Sequence, residues 1–203
     1  MQLSSFTPKQ MSVMRSIAQE QNEKMKGTRM WRVVDTVAFL FLALMVVLAI
    51  RLFIVEPIRV EGNSMYPTLL NREHMMVEKV SYLAHAPNRG DIVICFYPGY
   101  KKSCVKRVIG LPGDRVCIFG GKVFINGEPL DETSYWTDEI FGDYPEQIVP
   151  ENSFFLMGDN RNASKDSRNP TVGFIPKNKI VGHVFHIIWP LKSFRSIEGA
   201  VYN

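Results

Sequence analysis

A mainly β fold, an antiparallel β-sheet domain behind one N-terminal transmembrane helix, is what this sequence predicts. Three observations lead there. An unbroken apolar run, Val37–Ile50, stands near the N-terminus. After Pro57, short β-branched or aromatic runs alternate with turn signals. The 203 residues are 46% hydrophobic and 22% charged, a globular balance that excludes collagen-like, coiled-coil and wholly disordered chains.

The helix comes first. Val33–Val55 reads VVDTVAFLFLALMVVLAIRLFIV, with Asp35 and Arg51 as its only ionised residues. At about 1.5 Å per residue this makes roughly 34 Å of helix, enough for a hydrocarbon core of about 30 Å. Both charges can reach an interface, and Trp31 and Arg32 are suited to anchor the near boundary. A cleaved signal peptide fits less well: its apolar region is shorter, lies at the very N-terminus and ends in a small-residue site. A core helix apolar on every side is unusual in so small a protein.

Residues 1–32 hold six basic and two acidic residues, which is the whole net charge of +4. The basic flank therefore precedes the span, and the positive-inside rule keeps it in the cytoplasm. Everything after about residue 56 then lies on the far side. The rest of the chain is neutral, so no basic face for nucleic acid is expected on the folded body. The division predicted is a basic tail at 1–32, a span at 33–55 and an exported β domain at 56–203.

Eight runs are predicted as strands: 58–60, 74–80, 91–97, 104–109, 115–119, 122–126, 153–157 and 180–189. Gly120-Gly121 suits a two-residue hairpin loop. The acidic and aromatic stretch 127–152 reads as a long connection or small insertion. Some 145 residues suffice for a self-sustaining core.

Cys95, Cys104 and Cys117 are too few for a disulfide scaffold, and no paired Cys/His spacing indicates zinc. A four-residue loop at 98–101 sets Cys95 opposite Cys104, whereas a two-residue loop does not. Three separate thiols are the expected state.

Candidate chemistry sits in three places. Glu61-Gly62-Asn63-Ser64-Met65-Tyr66-Pro67-Thr68 is a small, polar turn able to expose a hydroxyl beside backbone N–H groups, as a nucleophile with an oxyanion hole requires. For an isolated Gly-x-Ser, a turn serine making a local hydrogen bond is the commoner reading. Lys106, in Cys104-Val105-Lys106-Arg107-Val108-Ile109-Gly110, shares a strand face with Cys104 and Val108 and can point inward. A solvated strand lysine is commoner, but a buried one loses its charge and can serve as a base. The third place is Gly158-Asp159-Asn160-Arg161-Asn162-Ala163-Ser164-Lys165-Asp166-Ser167-Arg168, denser in polar groups than a turn needs. Most of it reads as scaffolding braced by Asp/Arg pairs. Of the histidines, His183 and His186 lie three apart in a predicted strand and so face opposite sides. His74 and His85 have no evident partner.

Taken in order, the membrane segment, Gly-Asn-Ser-Met-Tyr-Pro-Thr-Leu, Lys-Arg-Val-Ile-Gly-Leu-Pro-Gly-Asp, and Gly-Asp-Asn-Arg with Ser-Lys-Asp-Ser-Arg resemble bacterial type I signal peptidase. The resemblance covers most of the chain after residue 33. It implies a serine endopeptidase of the cytoplasmic (inner) membrane, with one span and its catalytic domain on the outer side. Signal-peptide-bearing preproteins and membrane lipid are the partners implied, with no metal or cofactor. Ser64 is implied as nucleophile, Lys106 as general base, and Ser164 as the hydroxyl that orients the lysine amine. The oxyanion hole is implied at the Ser64 N–H with help from Gly62. Ile58, Val60, Met65, Leu69 and Val105 match positions lining pockets for small residues one and three places before the cut. Arg107, Asp159, Arg161, Asp166 and Arg168 match supporting positions.

The chain departs from the family at Ala163, where many members have Asn, and at Asn162. Altered bracing of that loop is expected. Two alternatives stand beside this reading. Soluble Ser-Lys repressor-cleaving proteases share a Ser-Met motif but lack the anchor. An inactive membrane-tethered β module could bind exported peptides without cutting them.

Overall fold

The structure, a computed structural model, describes residues 7–202. Two compact units divide it, Met1–Ile50 and Arg51–Asn203. Helix α1 spans Pro8–Phe53. Pro8 suits the first helical position, where its missing N–H costs nothing. The Gln10 side chain accepts the Thr7 N–H at 2.9 Å, closing the helix start in the manner of a capping box. The 1–32 segment is therefore helical from Pro8 onward, so the predicted tail and the predicted span are one continuous helix. Its most apolar window has a mean hydropathy of 2.7. The side chains there, Phe39 and Leu42 among them, are exposed. By length and composition α1 can cross a membrane.

The second unit is antiparallel sheet. In chain order its elements are β1 (Val55–Arg59), β2 (His74–Glu78), the short α2 (Ser81–Ala84), β3 (Ile92–Phe96), β4 (Ser103–Gly110), β5 (Arg115–Phe119), β6 (Lys122–Ile125), β7 (Glu128–Pro129), β8 (Tyr144–Ile148), β9 (Ser153–Met157), β10 (Ile175–Pro176), β11 (Ile180–Trp189) and β12 (Arg195–Ser196). Among the described residues, one sheet runs β1-β2-β11-β3-β4-β9-β10 with β12 on β11, and a smaller one runs β7-β6-β5-β8. Pro57 sits in β1, the edge strand, where a missing donor is tolerated. Gly120 and Gly121 have φ of +56° and +75° and make the two-residue turn between β5 and β6.

Each of the eight predicted runs overlaps a strand. The stretch 127–152 is a correction: it supplies β7 and β8, which complete the smaller sheet. β8 is almost wholly exposed and carries Pro145, so it lacks the apolar alternation that marks a strand.

β11 brings a second correction. Its pairing with β2 skips a residue between Val184 and His186, a bulge. His183 then pairs with Glu78 and His186 with Met76, two residues apart on β2, so both histidines share one face. That face is opposite the one where Met75, Val77, Val184 and Ile187 pack. His183 lies against Tyr82, and His186 against Phe185 and Phe194.

Candidate active site

The loop after β1 carries Ser64. Val60 donates its N–H to Glu73 O at 2.8 Å, and Gly62 then turns with φ +89°, where a Cβ is strained. Tyr66 N–H to Asn63 O (3.1 Å) and Leu69 N–H to Met65 O (2.9 Å) close the following turns. Met65 and Leu69 are buried in a core cluster, so apolar anchors hold the loop on either side of Tyr66 and Pro67. Ser64 itself is half-buried.

Lys106 comes from β4, opposite Val93 of β3. It is only 3% exposed, which decides the inward orientation. Its Nζ lies 2.8 Å from Ser64 Oγ and donates to Val105 O at 2.8 Å. Among the described residues no carboxylate forms an ion pair with it. Burial lowers the Lys106 pKa, and the nearby Cys104 and Asp166 pull the other way without offsetting it. A neutral amine within hydrogen-bond reach of a hydroxyl can accept its proton.

The loop after β9 ties the two together. Asn160 donates its N–H to Ser64 O and its side-chain amide to Asn63 O, each at 3.1 Å. Gly158 lies so close that a Cβ there meets Ser64 O and Ser164 Oγ. Behind it Asp159 receives Arg107 Nε at 2.8 Å, Arg107 Nη2 at 2.6 Å and the Thr68 hydroxyl at 2.5 Å. This bidentate pair is buried and supplied with further bonds, the condition under which buried charges persist. Arg107 also covers the Tyr135 ring at 4.2 Å. Arg161 pairs with Glu132 at 2.6 Å and donates to the Tyr135 hydroxyl at 3.2 Å. Asp166 accepts the Gly158 N–H at 3.1 Å and pairs with Arg168 at 2.8 Å. The five predicted supporting residues therefore converge on the two loops. Asn162 braces the 139–141 segment, accepting the Phe141 N–H at 2.8 Å and donating to Glu139 O at 2.9 Å.

Three expectations need correction. Ser164 Oγ is buried with no hydrogen-bond partner, so it makes no hydrogen bond with the lysine amine. Its hydroxyl packs beside Gly158 instead. The Gly62 N–H is taken by Asn71 Oδ1 at 3.1 Å and is not free to receive an oxyanion. Leu69 is wholly buried in the core, while a cleft of about 390 Å³ is lined by Ile58, Val60, Met65 and Val105 together with Ser64 and Lys106. Cys95 and Cys104 do stand opposite each other, across a longer connection than four residues, and are free thiols.

Asn71, Glu132, Tyr135 and Asn160 are site neighbours that sequence reasoning missed. Asn160 alone carried a signal, lying inside the third motif. Asn71 reaches the Gly62 N–H from nine residues further along the same connection, whereas Glu132 and Tyr135 join the site through long-range contacts with Arg161 and Arg107.

Fold and cleft together are those of a β-sheet peptidase. More narrowly, the chain belongs to the signal peptidase family, peptidase S26, whose model matches residues 33–189. Signal peptidase I of Leptolyngbya laminosa is 38% identical over 159 residues, covering 74% of this chain and 76% of that one. Signal peptidase I S of Bacillus subtilis is 39% identical over 165 residues, covering 76% and 88%. Probable signal peptidase I-1 of Synechocystis is 38% identical over 165 residues, covering 77% and 82%. A solved signal peptidase I from Enterococcus faecalis superimposes with TM-score 0.42 at 30% identity, covering 49% of this chain and 97% of that one.

Proposed function

We propose that this chain is a membrane-anchored serine endopeptidase that removes signal peptides from exported preproteins through an acyl-enzyme. The 2.8 Å contact between the buried Lys106 amine and the Ser64 hydroxyl carries the reading. Neutral Lys106 takes the Ser64 proton as the serine oxygen attacks the scissile carbonyl. The Ser64 N–H, which makes no hydrogen bond among the described residues, receives the oxyanion. Collapse of the tetrahedral intermediate breaks the C–N bond, and the leaving amine takes the proton from Lys106. Water, deprotonated by the same amine, then hydrolyses the ester.

Ser164 takes a later part. As the amine becomes an ammonium it gains a third N–H, and Ser164 Oγ, packed with Ser64 O against Gly158, is a buried acceptor without a partner. The substrate lies extended in the cleft, with small side chains one and three places before the cut against Ile58, Val60, Met65 and Val105. Residues 33–55 span the bacterial cytoplasmic membrane, in contact with its lipid, with residues 1–32 in the cytoplasm and 56–203 outside.

The test is to incubate the purified chain with a preprotein and sequence the N-terminus of the product. A new terminus after a small-x-small triplet, absent with Ser64→Ala, is the expected result. A preprotein that is retained but stays intact overturns the reading in favour of an inactive peptide-binding module.

A further inference from the structure

Charged side chains stand on both rims of the cleft. Val60 hydrogen-bonds to Glu73, so by alternation Arg59 and Glu61 turn their backbone N–H and C=O groups toward the open edge of β1. On β4 the pairing with β9 covers only Arg107–Gly110. Val108 donates its N–H to Asp91 beside β3, so Ser103 and Val105 turn theirs away from β3, toward an edge that β9 leaves unpaired. Both open edges border the same cleft. Lys102 Nζ reaches Glu61 Oε2 across it at 2.6 Å. The two side chains are 76% and 63% exposed, so the bridge lies on the solvent side of the groove, above the apolar floor.

An extended peptide between these edges directs alternate side chains to the floor and to solvent. If the first and third residues before the cut face the floor, the second faces the ion pair. We propose that Glu61 and Lys102 determine how the enzyme responds to charge on the substrate side chain two places before the cut. This rests on the function proposed above. Together the pair offers a partner to either sign of charge. Removing one partner shifts the preference toward charge opposite to the partner that remains, with Arg59 beside Glu61 common to both variants.

The test uses the full-length chain in detergent and three peptides that differ only in Glu, Gln or Lys at that second position. The readout is kcat/KM for each charged peptide divided by that for the Gln peptide within the same enzyme, so a general loss of activity cancels. The unsubstituted enzyme is expected to hold both ratios near one. Lys102→Ala is expected to favour Lys over Glu by about two- to fivefold, the size of an exposed charge contact, and Glu61→Ala to favour Glu over Lys by a similar factor. Salt at about 0.5 M should flatten both preferences, since screening then acts within a few ångströms. Ratios that match the unsubstituted enzyme in both variants overturn the proposal. An unsubstituted enzyme that cuts none of the peptides overturns the proposed function and this inference with it.

Discussion

The Lys106 amine and the Ser64 hydroxyl, 42 residues apart in the chain, meet at 2.8 Å with the lysine 3% exposed. Ser64→Ala and Lys106→Ala should each lower preprotein cleavage by at least about a thousandfold while leaving the sheet domain folded. The double variant should be no worse than either single one, because the two groups act as a unit. Alanine at His74, His85, His183 or His186 should leave cleavage within a few-fold of normal. Near-normal turnover in a folded Ser64 or Lys106 variant removes the pair from the mechanism.

The state of Lys106 sets a pH dependence. Its folded pKa is lowered by burial, so the neutral base gains population as pH rises through that value. The kcat/KM profile should climb on its acid side and reach an alkaline plateau. A histidine base gives a rise near about pH 6.5 instead. Lys106→His should move the acid limb; an active variant with an unmoved limb rules out Lys106 as the titrating group.

The same shift has a stability consequence. The unfolded chain protonates this lysine below about pH 10.4 and the fold resists that proton, so stability is lost as pH falls from 10.4 to the lowered value. Lys106→Met should therefore melt higher than the parent at pH 7. The gain should shrink as pH approaches about 10. Equal melting temperatures for the two proteins at pH 7 contradict a neutral buried amine.

Gly158 tests the packing behind the pair. A methyl group there meets Ser64 O and Ser164 Oγ, with backbone on one side. Gly158→Ala should cost about 1–3 kcal/mol, the usual toll of overpacking, and should lower kcat by displacing Ser64. Urea titration and single-turnover cleavage measure the two effects separately.

Cys95 and Cys104 face each other as free thiols, and burial pushes the Cys95 thiol up to about 12. Alkylation without reductant should label three cysteines per chain once the protein is denatured. In the native protein Cys95 should react last, because its thiolate is scarce at pH 8. Mass spectrometry that finds one labelled cysteine after denaturation demonstrates a disulfide instead.

Much of the fold was legible because local chemistry repeats along the chain. The apolar run at Val37–Ile50 and the eight alternating segments announce themselves within a few residues. The strands that escaped notice, β7, β8, β10 and β12, are two residues long or exposed, and gain their conformation from a neighbour's ladder and not from their own pattern. The bulge in β11 likewise has no local mark. It reversed the facing of His183 and His186, since a single extra residue shifts every later side chain to the other face.

The motifs alone determined which residues are candidates: Ser64, Lys106 and the polar run from Gly158 to Arg168 are visible in the sequence and match the family in order. Only the tertiary structure decided how they are arranged. The Lys106 pKa is lowered because the sheet buries the amine without a carboxylate ion-pair partner among the described residues, and no spacing along the chain encodes a dielectric. The Gly62 N–H is occupied because Asn71 folds back onto it, and Ser64 O meets Ser164 Oγ at Gly158 because the loop after β9 closes against the loop after β1. Residue type and order are properties of the chain. Burial, hydrogen-bond occupancy and the distance between two loops arise when distant segments share one core.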